Sequence, residues 1–260
     1  MMTLASSEIM SWVGSFVWPL FRIAALVAAA PVFGARTVPA SVKIIFAVVF
    51  TLIIAPMSPP MPVVDPLSGE AVLIVINQIL IGGAMGLALQ LVFAMFIVGG
   101  QIIAFQMGLG FASMVDPSSG TQVPMVSQFY VIVLTLVFLA LDGHLIFISV
   151  MAESFHTLPI GVNGLNNAGL WALVNWGGNM YAGAVQIALP AIASLLLINL
   201  AFGIVTRAAP QFNIFSIGFP VIMVAGFFIM LSTLTAILPQ IKLQLANGFA
   251  LMRGVAGGFL

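Results

Sequence analysis

Residues 71–110 read AVLIVINQILIGGAMGLALQLVFAMFIVGGQIIAFQMGLG, without one Asp, Glu, Lys or Arg. As a helix rising about 1.5 Å per residue, the run would reach about 60 Å, twice the roughly 30 Å hydrocarbon core of a bilayer. Lipid admits only helices and closed barrels, and the run lacks the period-2 alternation of a barrel strand. It is therefore helical, either as one helix longer than a bilayer is thick or as a tight hairpin. Gly82-Gly83, Gly86, Gly99-Gly100, Gly108 and Gly110 punctuate it. Gly82 and Gly86 form a small-xxx-small pair suited to a close neighbouring helix, although glycine is common enough here for the spacing to arise by chance.

The rest of the chain has the same character. Of 260 residues 62% are hydrophobic and 5% charged, and the mean hydropathy is +1.26. A soluble globular chain carries roughly a quarter charged residues, so this one cannot cover itself with water-compatible surface. Six basic residues balance six acidic ones, which leaves no basic field for nucleic acid and no polybasic cluster for lipid headgroups. With no cysteine there is no disulfide, no iron–sulfur ligation and no thiol chemistry. No basic residue precedes the first apolar stretch, so that stretch is expected to be retained rather than cleaved as a signal peptide.

Upstream, the first apolar run covers Ile9 to Ala30, carries Arg22 inside it and stops at Pro31. The second, Val42 to Ala55, is short for a bilayer. It leads into Pro56-Met57-Ser58-Pro59-Pro60-Met61-Pro62, too proline-dense to be helical. Glu70 then opens the long run, where an acid suits the positive end of a helix dipole. Downstream, residues 111–124 read as a loop around Asp116-Pro117-Ser118-Ser119-Gly120. A further run from Met125 to Leu141 is interrupted at Asp142-Gly143-His144 and resumes to Phe155. Polar residues and glycines dominate Thr157 to Gly178, where Trp171 and Trp176 fit an interfacial belt. Tyr181 to Thr206 and Ile214 to Leu238 are two span-length segments joined by a short connection, hence a helical hairpin, with Pro190 and Pro220 as kink sites. The tail after Pro239 is weakly amphipathic and is expected to lie along an interface. With the N-terminus outside, Arg36, Lys43 and Arg207 fall on the cytoplasmic side, and Lys242 and Arg253 do not.

Catalytic and metal motifs are missing. There is no phosphate-binding loop, no dinucleotide fingerprint and no H-E-x-x-H. Two histidines without cysteine would need Asp142 or Glu153 to complete a zinc site. Asp142, His144 and Ser149 have the residue types of a hydrolase triad but lie on one helix or its edge, where triad geometry is not available. The chain is expected to be no enzyme and to hold no cofactor or metal. Arg22, Asp142, His144 and Glu153 are costly inside a membrane; they suit a proton relay or, more simply, internally paired groups at helix ends. Phe105, Met107, Leu109, Phe111 and Met114 put bulky side chains on and beside an irregular segment. At membrane depth such a segment must be buried in protein or line a cavity, where apolar side chains close a pore by dewetting.

Several motifs, in order, resemble one family. They are Arg22-Ile23, Ala30-Pro31-Val32-Phe33-Gly34 with Val38-Pro39, then Gln106-x-Gly108-Leu109 leading to Asp116-Pro117. Asp142-Gly143-His144 and Ser154-Phe155 with Pro159 follow, and then Arg207-x-x-Pro210-Gln211-x-Asn213 with Ile217-Gly218-Phe219-Pro220. Together they are similar to the FliR family, a subunit of the flagellar type III export gate with counterparts in virulence secretion. The resemblance implies an all-α, polytopic membrane-type subunit with long, partly broken helices. It implies an N-terminal part over residues 1–165 with a pore loop at about 105–124, and a C-terminal hairpin and tail over 166–260.

It also implies partners: several copies of two smaller membrane subunits, FliP-like and FliQ-like, a further export membrane protein, and unfolded flagellar proteins as cargo. The site would be the bacterial inner membrane at the flagellar basal body, with much of the assembly standing above the bilayer. The implied pore plug comprises Phe105, Met107, Gly108, Leu109, Gly110, Phe111, Met114, Asp116 and Pro117, and the implied partner-contact turn Arg207, Pro210, Gln211 and Asn213. A secondary transporter using Asp142, His144, Glu153 and Arg22 as coupling groups is the alternative. It predicts two similar halves, which the uneven run lengths do not suggest.

Overall fold

The computed structural model of the chain describes residues 6–62, 64–65, 68–110, 125–209 and 217–257, with backbone alone for 6–13. Among these residues all regular structure is helical: α1 (Ser6–Ala29), α2 (Ala40–Ile54) extended by a 3-10 turn (Ala55–Met57), α3 (Gly69–Gln106), α4 (Met125–Ala140), α5 (Gly143–Thr157), α6 (Asn167–Ala208) and α7 (Phe219–Gly257). By length and composition α2 with its 3-10 turn, α3, α6 and α7 can each cross a membrane, and the bent pair α4–α5 makes a fifth span if counted as one. The protein is an all-α, polytopic membrane protein.

The run at 71–110 resolves as one helix. Ser68 starts it, its Oγ accepting the N–H of Ala71 at 3.2 Å and donating to the carbonyl of Asp65 at 2.7 Å, and Glu70 occupies its first turn. At 38 residues it is about 57 Å long. It ends as a helix ending in glycine should: Leu109 N–H reaches the carbonyl of Ala104 and Gly108 N–H that of Phe105, both at 3.0 Å, with Gly108 at φ +77°.

The structure also fixes the helix bounds and corrects the interfacial placement of the tail and of Trp176. The polar stretch up to Gly178 is helical from Asn167 onward. Asn166 Oδ1 accepts the Gly169 N–H at 2.7 Å, and this cap offsets the poor helix propensity of the glycines that follow. Pro239 does not begin a separate tail, because α7 runs through it to Gly257, and Leu245, Phe249, Met252 and Val255 are buried rather than spread on an interface. Trp176 is likewise buried, so of the two tryptophans only Trp171 is exposed. The interruption at Asp142-Gly143-His144 is real: α4 and α5 meet there at 70°, with Asp142 in the left-handed region at φ 54°.

Contacts gather the chain into two units that do not follow chain order. The first holds residues 1–92, 138–177 and 245–260. Its core is Ile23, Leu26 and Val27 of α1, Ile81, Met85 and Leu89 of α3, Phe147, Met151 and Phe155 of α5, and Phe249 and Met252 of α7. Gly82 and Gly86 do face a close neighbour, α1: a methyl on Gly86 would lie 2.6 Å from Ala29 Cβ. Pro31 ends α1, and the reversal that follows puts Val32 at φ 69°, a strained value for a β-branched residue. Phe33 next to it stacks on Phe147 at 5.1 Å, and Lys43 Nζ donates to the Gly34 carbonyl at 2.8 Å. α2 turns only Ala47, Thr51 and Ile54 inward.

The second unit holds residues 93–137 and 178–244. Here α3 approaches two helices closely through adjacent glycines. A methyl on Gly99 would lie 3.1 Å from the carbonyl oxygen of Ala184 in α6, and one on Gly100 2.7 Å from the Cα of Ser127 in α4. Ser127 Oγ donates to the Ile97 carbonyl at 2.9 Å, so the polar hydroxyl is satisfied inside the α3–α4 seam.

Candidate functional site

Arg22 is completely buried, and among the described residues no carboxylate pairs with it. Its Nε donates to Gln78 Oε1 at 2.7 Å, one terminal nitrogen to the Ser154 carbonyl at 2.8 Å, the other to the Leu158 carbonyl at 2.8 Å. The guanidinium lies 4.5 Å over the Phe155 ring. The charge is thus held by the carbonyl end of α5, where the helix dipole is negative, together with one amide oxygen and a π face. A planar fork with five donors reaches three separate acceptors at once. Two motifs that stand 132 residues apart, Arg22-Ile23 and Ser154-Phe155, are in this way one contact. Gln78 was not legible as its third member; the one signal is the polar pair Asn77-Gln78 inside an apolar run.

The four ionisable residues considered for a relay are not joined to one another by any hydrogen bond or ion pair among the described residues. Arg22 is spent on carbonyls. Glu153 pairs with Arg253 at 3.3 Å, both half-exposed. Asp142 is exposed at the α4–α5 bend and makes no side-chain cap, and His144 is half-buried with no partner for Nδ1 among the described residues. The internally satisfied reading fits Arg22 and Glu153.

Of the plug residues, Phe105, Met107, Gly108, Leu109 and Gly110 are described, and Phe111, Met114, Asp116 and Pro117 lie outside the described residues. Phe105 is exposed and Met107 fully buried. Met107 fills the space beside Gly226 of α7, where a methyl would sit 2.5 Å from its Cγ, and a methyl on Gly108 would meet the Phe219 ring at 2.8 Å. Of the turn residues, Arg207 is exposed in the last turn of α6, where a cation suits the dipole. Pro210, Gln211 and Asn213 lie outside the described residues.

One candidate surface is apolar. Along α6, Leu170, Trp171, Val174, Tyr181, Val185, Leu189, Leu196, Leu197, Leu200, Ile204 and Val205 are all exposed. The stretch from Tyr181 to Val205 covers about 36 Å of helix at 1.5 Å per residue, and exposed Asn175, Gly178 and Asn179 set it apart from Leu170, Trp171 and Val174. Its length suits a hydrocarbon core of about 30 Å crossed at a tilt, or the flank of another membrane helix. Among the described residues no group of three or more His, Cys, Asp or Glu is placed to hold a metal.

Residues 13–248 match the family described as bacterial export proteins, family 1. The chain is 42% identical to the flagellar biosynthetic protein FliR of Pectobacterium carotovorum over 93% of its own length and 90% of the relative's. It is 40% identical to FliR of Escherichia coli K12 over 92% and 91%, and 31% identical to FliR of Aquifex aeolicus over 88% and 87%.

Proposed function

The chain belongs to the FliR family of bacterial export proteins, and from that premise we propose that it is a non-enzymatic subunit of the flagellar type III export gate, forming part of the channel that passes unfolded flagellar proteins across the inner membrane at the basal body. Membership in the flagellar export apparatus follows from the family. The channel role is supported above all by the exposed apolar face of α6 from Tyr181 to Val205, a surface against which other membrane helices can pack. FliP-like and FliQ-like subunits in several copies, with a further export membrane protein, are the fitting partners.

On this reading the segment that follows α3, residues 108–120, seals the resting pore. The Arg207–Asn213 connection is a cytoplasmic tip that receives another export component. The transporter alternative loses support because Arg22 is consumed by α5 carbonyls and Glu153 by Arg253.

The test is expression with and without the candidate partners. Produced alone, the chain should aggregate or be degraded; produced with them, it should purify in one complex whose loss stops flagellar protein secretion. A folded, monodisperse monomer in mild detergent, or secretion that persists without the chain, would sink the reading.

A further inference from the structure

Within the second unit α3 is held in two physically different ways. At Gly99 and Gly100 it is packed backbone to backbone, against Ala184 of α6 on one side and Ser127 of α4 on the other. Ser127 adds a hydrogen bond to Ile97. Helices in such contact separate only as rigid bodies, because no side chain can give way. About two turns further on, side chains meet glycines where the carboxyl end of α3 faces α7. Met107 occupies the notch left by Gly226, with Cγ, Cε and Sδ 2.5, 2.9 and 2.9 Å from where a Cβ would stand. The Phe219 ring lies under Gly108.

Among the described residues nothing hydrogen-bonds to the Met107 side chain, and its burial is complete. Methionine is unbranched and adaptable, and dispersion contacts are non-directional. This knob can leave and reseat without leaving a buried polar group unsatisfied. The glycine cap sharpens the contrast. Gly108 is committed to closing α3, so the last turn stays helical and Met107 keeps its direction while the contact is made or broken.

We propose that Met107 in the Gly226 notch is a release catch. The seam at Gly99–Gly100 stays fixed, the last turns of α3 pivot about it, and Met107 must leave α7 for the subunit to pass protein. The proposal rests on the export-channel reading and adds the moving contact to it.

The chain has no cysteine, so Met107→Cys with Gly226→Cys introduces one possible intramolecular disulfide. In cells making the complete export apparatus, oxidising this pair should lower secretion of flagellar proteins at least tenfold with the complex still assembled, and a reductant should restore it. Gly226→Ala, whose methyl evicts Met107, should make the same cells several-fold more sensitive to small toxic solutes. Undiminished secretion through a quantitatively crosslinked subunit overturns the catch. So does a pair that resists oxidation while Gly226→Ala stays as tight as the parent. Secretion unaffected by removing the chain altogether would instead overturn the export reading.

Discussion

Gly82 of α3 rests on the backbone carbonyl of Arg22 in α1, so closely that a methyl group at Gly82 would overlap that oxygen. The next residue, Gly83, has no heavy atom within 4 Å of the same position. Two adjacent glycines in one helix therefore have opposite roles. Gly82 sets the distance between α1 and α3, and Gly83 only weakens the helix it sits in.

Alanine substitution should separate them. Gly83→Ala removes mid-helix glycine and is expected to stabilise the protein by about 0.5–1 kcal/mol. Gly82→Ala forces the helices apart and is expected to cost about 1–3 kcal/mol. The measurement is the thermal or denaturant midpoint of the purified complex. Two shifts of the same sign would contradict the packing described for Gly82.

Replacement of Arg22 distinguishes a buried clasp from a transport group. Arg22→Met takes the donor from the Leu158 carbonyl and from Gln78 Oε1, at roughly 1–3 kcal/mol for each one water cannot reach, while the Ser154 carbonyl keeps the Leu158 N–H at 3.0 Å. Arg22→Lys keeps the charge but, without the fork, cannot serve all three. Both variants should lower the amount of assembled subunit, lysine less than methionine, and secretion per assembled complex should stay near the parent value. A lysine variant that assembles fully and yet fails to secrete would restore a role for this residue in transport.

At the carboxyl end of α7, burial should outweigh the ion pair. Arg253 and Glu153 are half-exposed, and such pairs contribute about 0–1 kcal/mol. Phe249 is buried and stacked at 6.2 Å on Phe138, and truncating such a ring costs about 3–5 kcal/mol. Phe249→Ala should lower stability severely and Arg253→Ala barely. The comparison can be read from resistance to limited proteolysis in detergent.

Deletion of residues 110–120 tests the proposed seal. The assembled complex should then leak small ions while retaining its partners, measured as membrane conductance or as sensitivity to small solutes. A deleted complex as tight as the parent would reduce the segment to packing.

Side labelling tests the proposed orientation. A cysteine introduced at Gln211 should react with a membrane-impermeant thiol reagent only from the cytoplasmic face. Labelling from the periplasm alone would invert the topology and remove the proposed docking tip.

Composition and run length alone establish an all-helical membrane protein, because water cannot solvate so few charges and lipid cannot solvate an open backbone. The break at Asp142-Gly143-His144 was equally legible, since glycine and two polar residues interrupt an apolar run. Whether residues 71–110 turn back or continue was not legible. That depends on α1, α4 and α6 offering close surfaces to α3 at Gly82, Gly86, Gly99 and Gly100, and local propensity contains none of those partners. The burial of the tail past Pro239 was not legible for the same reason: Leu245, Phe249 and Met252 have a core to enter only once the distant segments around them have folded. Arg22 shows the division most plainly. Its type and apolar surroundings announced a costly residue, but its acceptors lie 56, 132 and 136 residues away. A hydrogen bond depends on separation in space, and only the tertiary structure brings those acceptors within 3 Å.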